Sequence, residues 1–294
     1  MSTPPATHRR RPLRGLAAAL TAALTAAPTA AFVAAGALAG ALAPAVLGAQ
    51  PLVARTAVVA APVRGDAAPL ADVLATLPFG VGERLEYDAK VGPFRAGRGH
   101  MEVVAVEDVR GRPTVHLAMH VSGGALGWKV RYQLDSWVEP RSFSSLRHTQ
   151  DNLEGRTVRA RAFEIFPDRG VFASGDDPET PTVAQPLDDG SFLYFVRTVP
   201  LKVGETYVFD RYFRPDRNPV RVTVVRRERV TVPAGEFDAI VLQPAIKTKG
   251  LLSESARTEI WLSDDPRRML LKMESHLKFG TLSLHLRNTQ GTKF

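Results

Sequence analysis

His116 and His120 stand four apart, a spacing that on a helix would aim two imidazoles at one metal ion. The run around them, Val115-His116-Leu117-Ala118-Met119-His120-Val121, alternates like a strand instead. Residues four apart on a strand lie about 13 Å from each other, too far to share an ion. No metal site is expected. Nucleophile patterns are missing as well: there is no Gly-x-Ser-x-Gly elbow, no Ser-x-x-Lys with its partner motifs and no phosphate-cradling glycine loop. Ser191 with Asp188 reads as helix capping, because no histidine has a context that marks it as a base. The paired carboxylates Asp176-Asp177, Asp188-Asp189 and Asp264-Asp265 are adjacent in sequence, whereas a glycosidase needs two carboxyls at a set separation in space. Asp264-Asp265-Pro266 suits a hairpin turn after Trp261, and no twelve-residue calcium loop is present. No catalytic residue and no cofactor are expected.

Aromatic side chains are more suggestive. Trp128, Tyr132 and Trp137 fall within ten residues, and by parity Trp128, Val130 and Tyr132 share one strand face. Such rings fill a core, line a cleft for a lipid chain or stack on sugars. Arg197 follows Tyr194 by one helical turn and suits either an anionic head group or a carboxylate of the sheet. Trp128, Tyr132, Trp137, Tyr194 and Arg197 are therefore the candidate ligand-binding residues.

The elements that must position them are mostly strands. Leu85, Tyr87, Ala89 and Val91 alternate with Glu86, Asp88 and Lys90, and similar runs recur to Leu286, about ten in all. Arg110-Gly111-Arg112-Pro113, Ser122-Gly123-Gly124, Pro167-Asp168-Arg169-Gly170 and Val232-Pro233-Ala234-Gly235 supply reversals between them. This pattern predicts a mainly β fold: an antiparallel curved sheet closed as a barrel or half-barrel, with a sandwich as the alternative. One segment has helical spacing instead: Phe192, Leu193, Phe195, Val196 and Val199 follow Asp188-Asp189-Gly190-Ser191 and stop at Pro200. It predicts one short helix whose apolar stripe plugs the open side of the sheet.

The N-terminus specifies a compartment. Arg9, Arg10, Arg11 and Arg14 precede forty residues, Gly15 to Ala54, without a charge. That is the build of an export signal, with Leu47-Gly48-Ala49 as a cleavage site. The apolar run exceeds a normal signal core, so residues 1–49 read as a signal peptide or an N-terminal anchor, although Pro28 and Pro44 break a continuous spanning helix. Residues 50–77 read as a flexible linker, and 78–294 as a single β-rich domain. The chain contains no cysteine, which excludes disulfides, thiolate chemistry and the acylated cysteine of a bacterial lipoprotein. Its net charge of +8 falls to +4 once the first 49 residues are removed, so no nucleic-acid partner is expected. Arg156, Arg159 and Arg161, and Arg226, Arg227 and Arg229, read as solvated strand faces. Thr292, Gln290 and Asn288 lack the apolar alternation of a last membrane strand, so a transmembrane barrel is not expected.

Four segments in order resemble the bacterial exported family named domain of unknown function 3108. They are Val81-Gly82-Glu83-Arg84-Leu85-Glu86-Tyr87, with Gly97 ten residues on; Asp188 with Ser191-Phe192-Leu193-Tyr194-Phe195-Val196-Arg197; Pro200-Leu201-Lys202-Val203-Gly204-Glu205; and Val232-Pro233-Ala234-Gly235-Glu236-Phe237, followed by Ile260-Trp261-Leu262-Ser263-Asp264-Asp265. The resemblance implies a periplasmic or surface β-rich domain and brings no catalytic residue. By analogy of fold alone, it points to curved-sheet carriers of hydrophobic ligands such as the lipoprotein carriers of the envelope.

These readings converge on an exported periplasmic or secreted protein, a non-catalytic binding module for a lipid or other amphipathic ligand. The alternatives are a hydrolase of envelope polysaccharide or ester and a structural partner of another envelope protein. Contact with a membrane is expected only through an uncleaved N-terminal segment.

Overall fold

The period-two runs become the strands of one sheet. The structure, a computed structural model, describes residues 56–58, 68–125, 128–247, 257–277 and 280–293, with the backbone alone at 56–58, 125, 128, 154, 277 and 280. The expected export segment, 1–49, lies outside the described residues. In the first half of the chain come β1 (Thr56–Val58), α1 (Leu70–Ala75), β2 (Arg84–Val91), β3 (Phe94–Val109), β4 (Arg112–Ala125), β5 (Trp128–Glu139) and β6 (Ser144–Glu154). Then follow β7 (Thr157–Phe166), β8 (Val171–Ala173), β9 (Thr180–Pro181) and the helix α2 (Asp189–Phe195). The second half adds β10 (Thr206–Phe209), β11 (Val220–Val232), β12 (Gly235–Ala245), β13 (Glu259–Ser263), β14 (Leu270–Leu277) and β15 (Gly280–Gln290).

Two meanders, β2 to β9 and β10 to β15, join where β15 pairs antiparallel with β2, so a single sheet runs from β1 and β10 at one edge to β9 at the other. Only the β1–β10 pair is parallel among the described strands. The end strands do not pair with each other, so the sheet is curved but not closed. Its curvature follows from one contact: the amide of Ala234, in the β11–β12 turn, donates to the carbonyl of Leu286 on β15 at 3.0 Å. That turn and β15 are three to four places apart in the sheet, about 14–19 Å if it were flat. Between β3 and β4 the curl is sharp enough that a Cβ on Gly97 would sit 2.1 Å from the carbonyl oxygen of Ser122, so only glycine fits.

On β2 the expected face is realised: Leu85, Tyr87, Ala89 and Val91 are buried and the residues between them are half-exposed. α2 lies against β4 and β5 and fills the hollow, with Phe192, Leu193, Tyr194 and Phe195 all buried. It begins as expected with a capping box: the Asp188 carboxylate accepts from the amides of Gly190 (2.8 Å) and Ser191 (2.9 Å), and the Ser191 hydroxyl accepts from the Asp188 amide (2.8 Å).

Three features differ from the sequence reading. The segment expected as a flexible linker to residue 77 contains α1, whose Val73 is buried, and the Lys293 ammonium donates to the carbonyls of Leu74 (2.8 Å) and Leu77 (3.2 Å). Six residues are too few to show a helical period, and the alanine-rich composition hid it. The described strands number fifteen where about ten were expected, since β1, β8 and β9 are only two or three residues long. β6 was hidden for another reason: its inward face carries His148, Gln150 and Asn152, polar residues that break the alternation of hydropathy.

Because Leu193 is buried in the plug, Leu193→Ala is expected to cost about 2–5 kcal/mol. A urea midpoint equal to that of the wild type would show that the helix is peripheral.

Candidate functional site

Where α2 meets the sheet, a polar nest forms out of contact with solvent. Ser136 donates to an oxygen of Asp188 at 2.6 Å, and Ser145 donates to the hydroxyl of Ser191 at 2.9 Å. Nδ1 of His148 lies 3.0 Å from the Asp135 carbonyl and 3.4 Å from the same Asp188 oxygen. Serine, histidine and aspartate are thus together, but not as a catalytic triad. Among the described residues no serine hydroxyl hydrogen-bonds to His148, and Ser136, His148, Asp188 and Ser191 are all wholly buried. The nest secures the start of α2, as the capping reading anticipated. His148 was not foreseen, because nothing in its own sequence context points to Asp188.

Two of the expected ligand residues are taken up in the core. The Arg197 guanidinium, just past α2, makes a bidentate pair with Glu83 (2.6 and 3.0 Å) and donates to the Arg267 carbonyl at 3.0 Å. Its planar cation also lies against the rings of Phe79 (4.9 Å) and Tyr194 (5.6 Å). Both charged side chains are almost completely removed from water. Of the two roles considered for Arg197, the structure supplies the carboxylate partner. Tyr194 is buried beside it, with its hydroxyl 3.5 Å from the Ala118 carbonyl.

Trp137 is five residues from Tyr132 and faces the opposite, outer side of the sheet. There its indole N–H donates to Glu107 at 2.6 Å and its ring stacks on His116 at 4.4 Å, with Arg147 5.6 Å from it. His116 is held between two carboxylates, Nδ1 at 3.0 Å from Glu107 and Nε2 at 2.9 Å from Asp135, and Nε2 of His120 lies 3.7 Å from the other Asp135 oxygen. Burial disfavours the imidazolium of His116, but hydrogen bonds to Asp135 and Glu107 outweigh it and raise the pKa. Burial likewise opposes ionisation of Asp135, yet the hydrogen bond of His116 and the nearby ring of His120 hold it below the usual carboxylate range. The two histidines are joined through one aspartate, and no metal-binding group of three or more such side chains occurs among the described residues.

Tyr132 does face the concave side. With Val91 and Val130 it makes a small apolar cluster separate from the main core, bordered by the half-buried Ala96 and Leu282. Trp128 belongs to the same strand, opposite Ala125, but its side chain is outside the described residues. Across the sheet, Tyr132 lies level with Asn152 and Arg159, and the next row, nearer the helix, is Leu134, Gln150 and Arg161. The concave surface beyond the plug therefore passes from an apolar floor on β5 to a cationic strip on β7.

A polar cleft of about 520 Å³ opens at the turns, lined by Arg112, Glu139, Arg141, Ser142, Ser144 and Asp168 among others. Its carboxylates are committed to structure: Glu139 accepts from the amides of Arg141 (3.0 Å) and Ser142 (2.8 Å), and Asp168 pairs with Arg112 at 2.8 Å. The wall behind is Arg211, whose guanidinium donates to the carbonyls of Gln185, Ser142 and Phe143 at 2.8–2.9 Å, and whose pKa burial brings down to about 10.

Removing Glu83 leaves a buried guanidinium without its counter-charge, so Glu83→Ala is expected to cost about 3–5 kcal/mol by chemical denaturation. Combining it with Arg197→Met is expected to recover part of that loss; a double variant no more stable than Glu83→Ala would place the energy elsewhere. His116, with a raised folded pKa, contributes stability fully present below the ordinary imidazole value and lost as pH rises through the raised one. The stability gap between wild type and His116→Gln should thus narrow from pH 6 to pH 9, and a gap independent of pH would contradict the charged pairing.

No curated protein matches this chain. Solved structures that it resembles include a β-barrel-like protein of the domain of unknown function DUF1849 from Brucella abortus, 10% identical with a TM-score of 0.49, over 72% of this chain and 98% of that one. A candidate lipoprotein from Parabacteroides distasonis is 12% identical with a TM-score of 0.32, and a candidate exported protein with a YmcC-like fold from Bacteroides fragilis is 12% identical with a TM-score of 0.30. Each of these two is covered to 98% by 73% of this chain. The model of the protein family of unknown function DUF3108 matches residues 86–287, spanning the curved sheet and its plug, and the chain belongs to that family.

Proposed function

We propose that this protein is an exported, non-catalytic binding module that holds an amphipathic ligand on the concave face of its sheet. The observation that carries the reading is the second apolar cluster. Val91, Val130 and Tyr132 are buried yet separate from the main core, at the end of the hollow that α2 leaves free. Phe94, in register with Val91, is 61% exposed beside it. Apolar surface at the mouth of a curved sheet suits an acyl chain better than a sugar, which would need converging polar groups. Export rests on the arginine cluster and the uncharged stretch that follows it.

Protein isolated from its native envelope is expected to begin after Ala49 by N-terminal sequencing and to carry co-purified lipid in native mass spectrometry. A fluorescent fatty acid should bind the wild type, and Leu282→Asp, which sets a charge at the half-buried lip, should weaken it at least about tenfold. Wild-type protein that binds no such probe and carries no lipid would overturn the carrier reading in favour of a structural partner.

A further inference from the structure

The cationic strip beside the apolar floor differs from the best-paired arginines of the outer face. Arg147 and Arg226 there each meet a carboxylate, at 2.6 and 2.8 Å. Among the described residues, Arg161, Arg214 and Arg217 form no ion pair. Arg161 is exposed on β7 and shares its inward face with Phe163, two residues on. The Arg214 guanidinium stands over that same Phe163 ring at 5.3 Å and over Phe213 (5.4 Å) and Phe172 (5.7 Å). Arg217 lies 5.3 Å from the ring of Tyr212 and donates to its hydroxyl at 2.9 Å. Three rings thus support a half-buried cation, and two further cations stand close enough to be felt: burial lowers the pKa of Arg214, and the charges of Arg217 and Arg161 lower it further.

The nearby acids form no ion pair with this group, and the charge of Asp216 offsets the lowering at Arg214 only in part. Asp189 is occupied by the Tyr212 hydroxyl (2.9 Å) and the Gln150 amide (3.1 Å), and Asp216 is exposed in the turn after Pro215. Holding like charges together over an apolar platform is unfavourable until an anion joins them. From Tyr132 to Arg159 is two strands, about 10 Å, and Arg161 follows in the next row, within the length of one amphiphile.

We propose that the ligand of this face carries an anionic head group, a carboxylate or phosphate, and that Arg161, Arg214 and Arg217 bind it. The inference rests on the carrier reading above and specifies its ligand.

The test compares cis-parinaric acid with its methyl ester by fluorescence at low salt, in wild type and in Arg161→Gln, Arg214→Gln and the double variant. The acid is expected to bind wild type about tenfold more tightly than the ester. Both single variants should lose most of that preference while keeping the ester affinity. Arg161 is exposed, so its variant remains informative even if Arg214→Gln disturbs the aromatic platform. Equal binding of acid and ester by wild type would overturn the anionic head group and leave the carrier reading standing; no binding of either would overturn the carrier reading itself. Inorganic phosphate that displaces the acid but not the ester would support the arginine site and show that a free anion suffices. Phosphate binding equally well to the double variant would refute it.

Discussion

A guanidinium and a carboxylate buried together cost several kcal/mol each in lost hydration, and here the Arg197–Glu83 pair meets that cost by geometry. Two parallel hydrogen bonds, a third to the Arg267 carbonyl and two flanking rings answer the guanidinium, leaving Nε as its one buried nitrogen without a partner. Its position explains its importance. Glu83 stands just before β2, Arg197 just past the plug helix, and Arg267 in the turn between β13 and β14, so one pair binds both meanders to the element that fills them. The seam between β15 and β2 depends on the same neighbourhood, because Glu83 immediately precedes the strand that joins the two halves.

The plug divides the hollow into two regions. Beneath α2 the rings of Phe79, Phe143, Tyr194 and Phe195 touch one another, and the polar nest of Ser136, His148 and Asp188 is sealed with them. Beyond α2 the sheet continues with β6 and β7, whose outer half, from Arg156 to Ala162, is exposed throughout. A sheet of this length cannot be covered by a helix of seven residues, about 10 Å long. The uncovered end is where the fold leaves room for something other than itself.

The outer face is organised by charge. Arg84 with Glu102, Arg226 with Glu259, and Arg287 with Glu86 form cross-strand pairs, and Arg226 also pairs with Glu228 on its own strand; at such partly exposed positions each contributes little alone. Trp137 and Trp261 follow one rule: each indole N–H donates to a glutamate, and a cation stands near the ring. An aromatic ring in that setting serves the outer surface of the sheet, so Trp137 is separated from the concave face that Tyr132 lines.

Local rules made much of this legible in advance. Period two assigned the buried face of β2, the shared face of Val130 and Tyr132, and the strand that carries His116 and His120. Capping chemistry placed the start of α2 at Asp188. These are decided within a few residues, by backbone geometry and hydropathy, so the sequence alone determines them. Strand β6 was not legible, because its inward polar side chains find partners only when α2 is laid across them. The partner of Arg197 is 114 residues away, and the grouping of Arg161, Arg214 and Arg217 needs the segment after β10 to fold back onto β7. Such contacts arise from the curl of the whole sheet, a sum of small twists between many strands, and tertiary structure alone decides which distant charges it brings together.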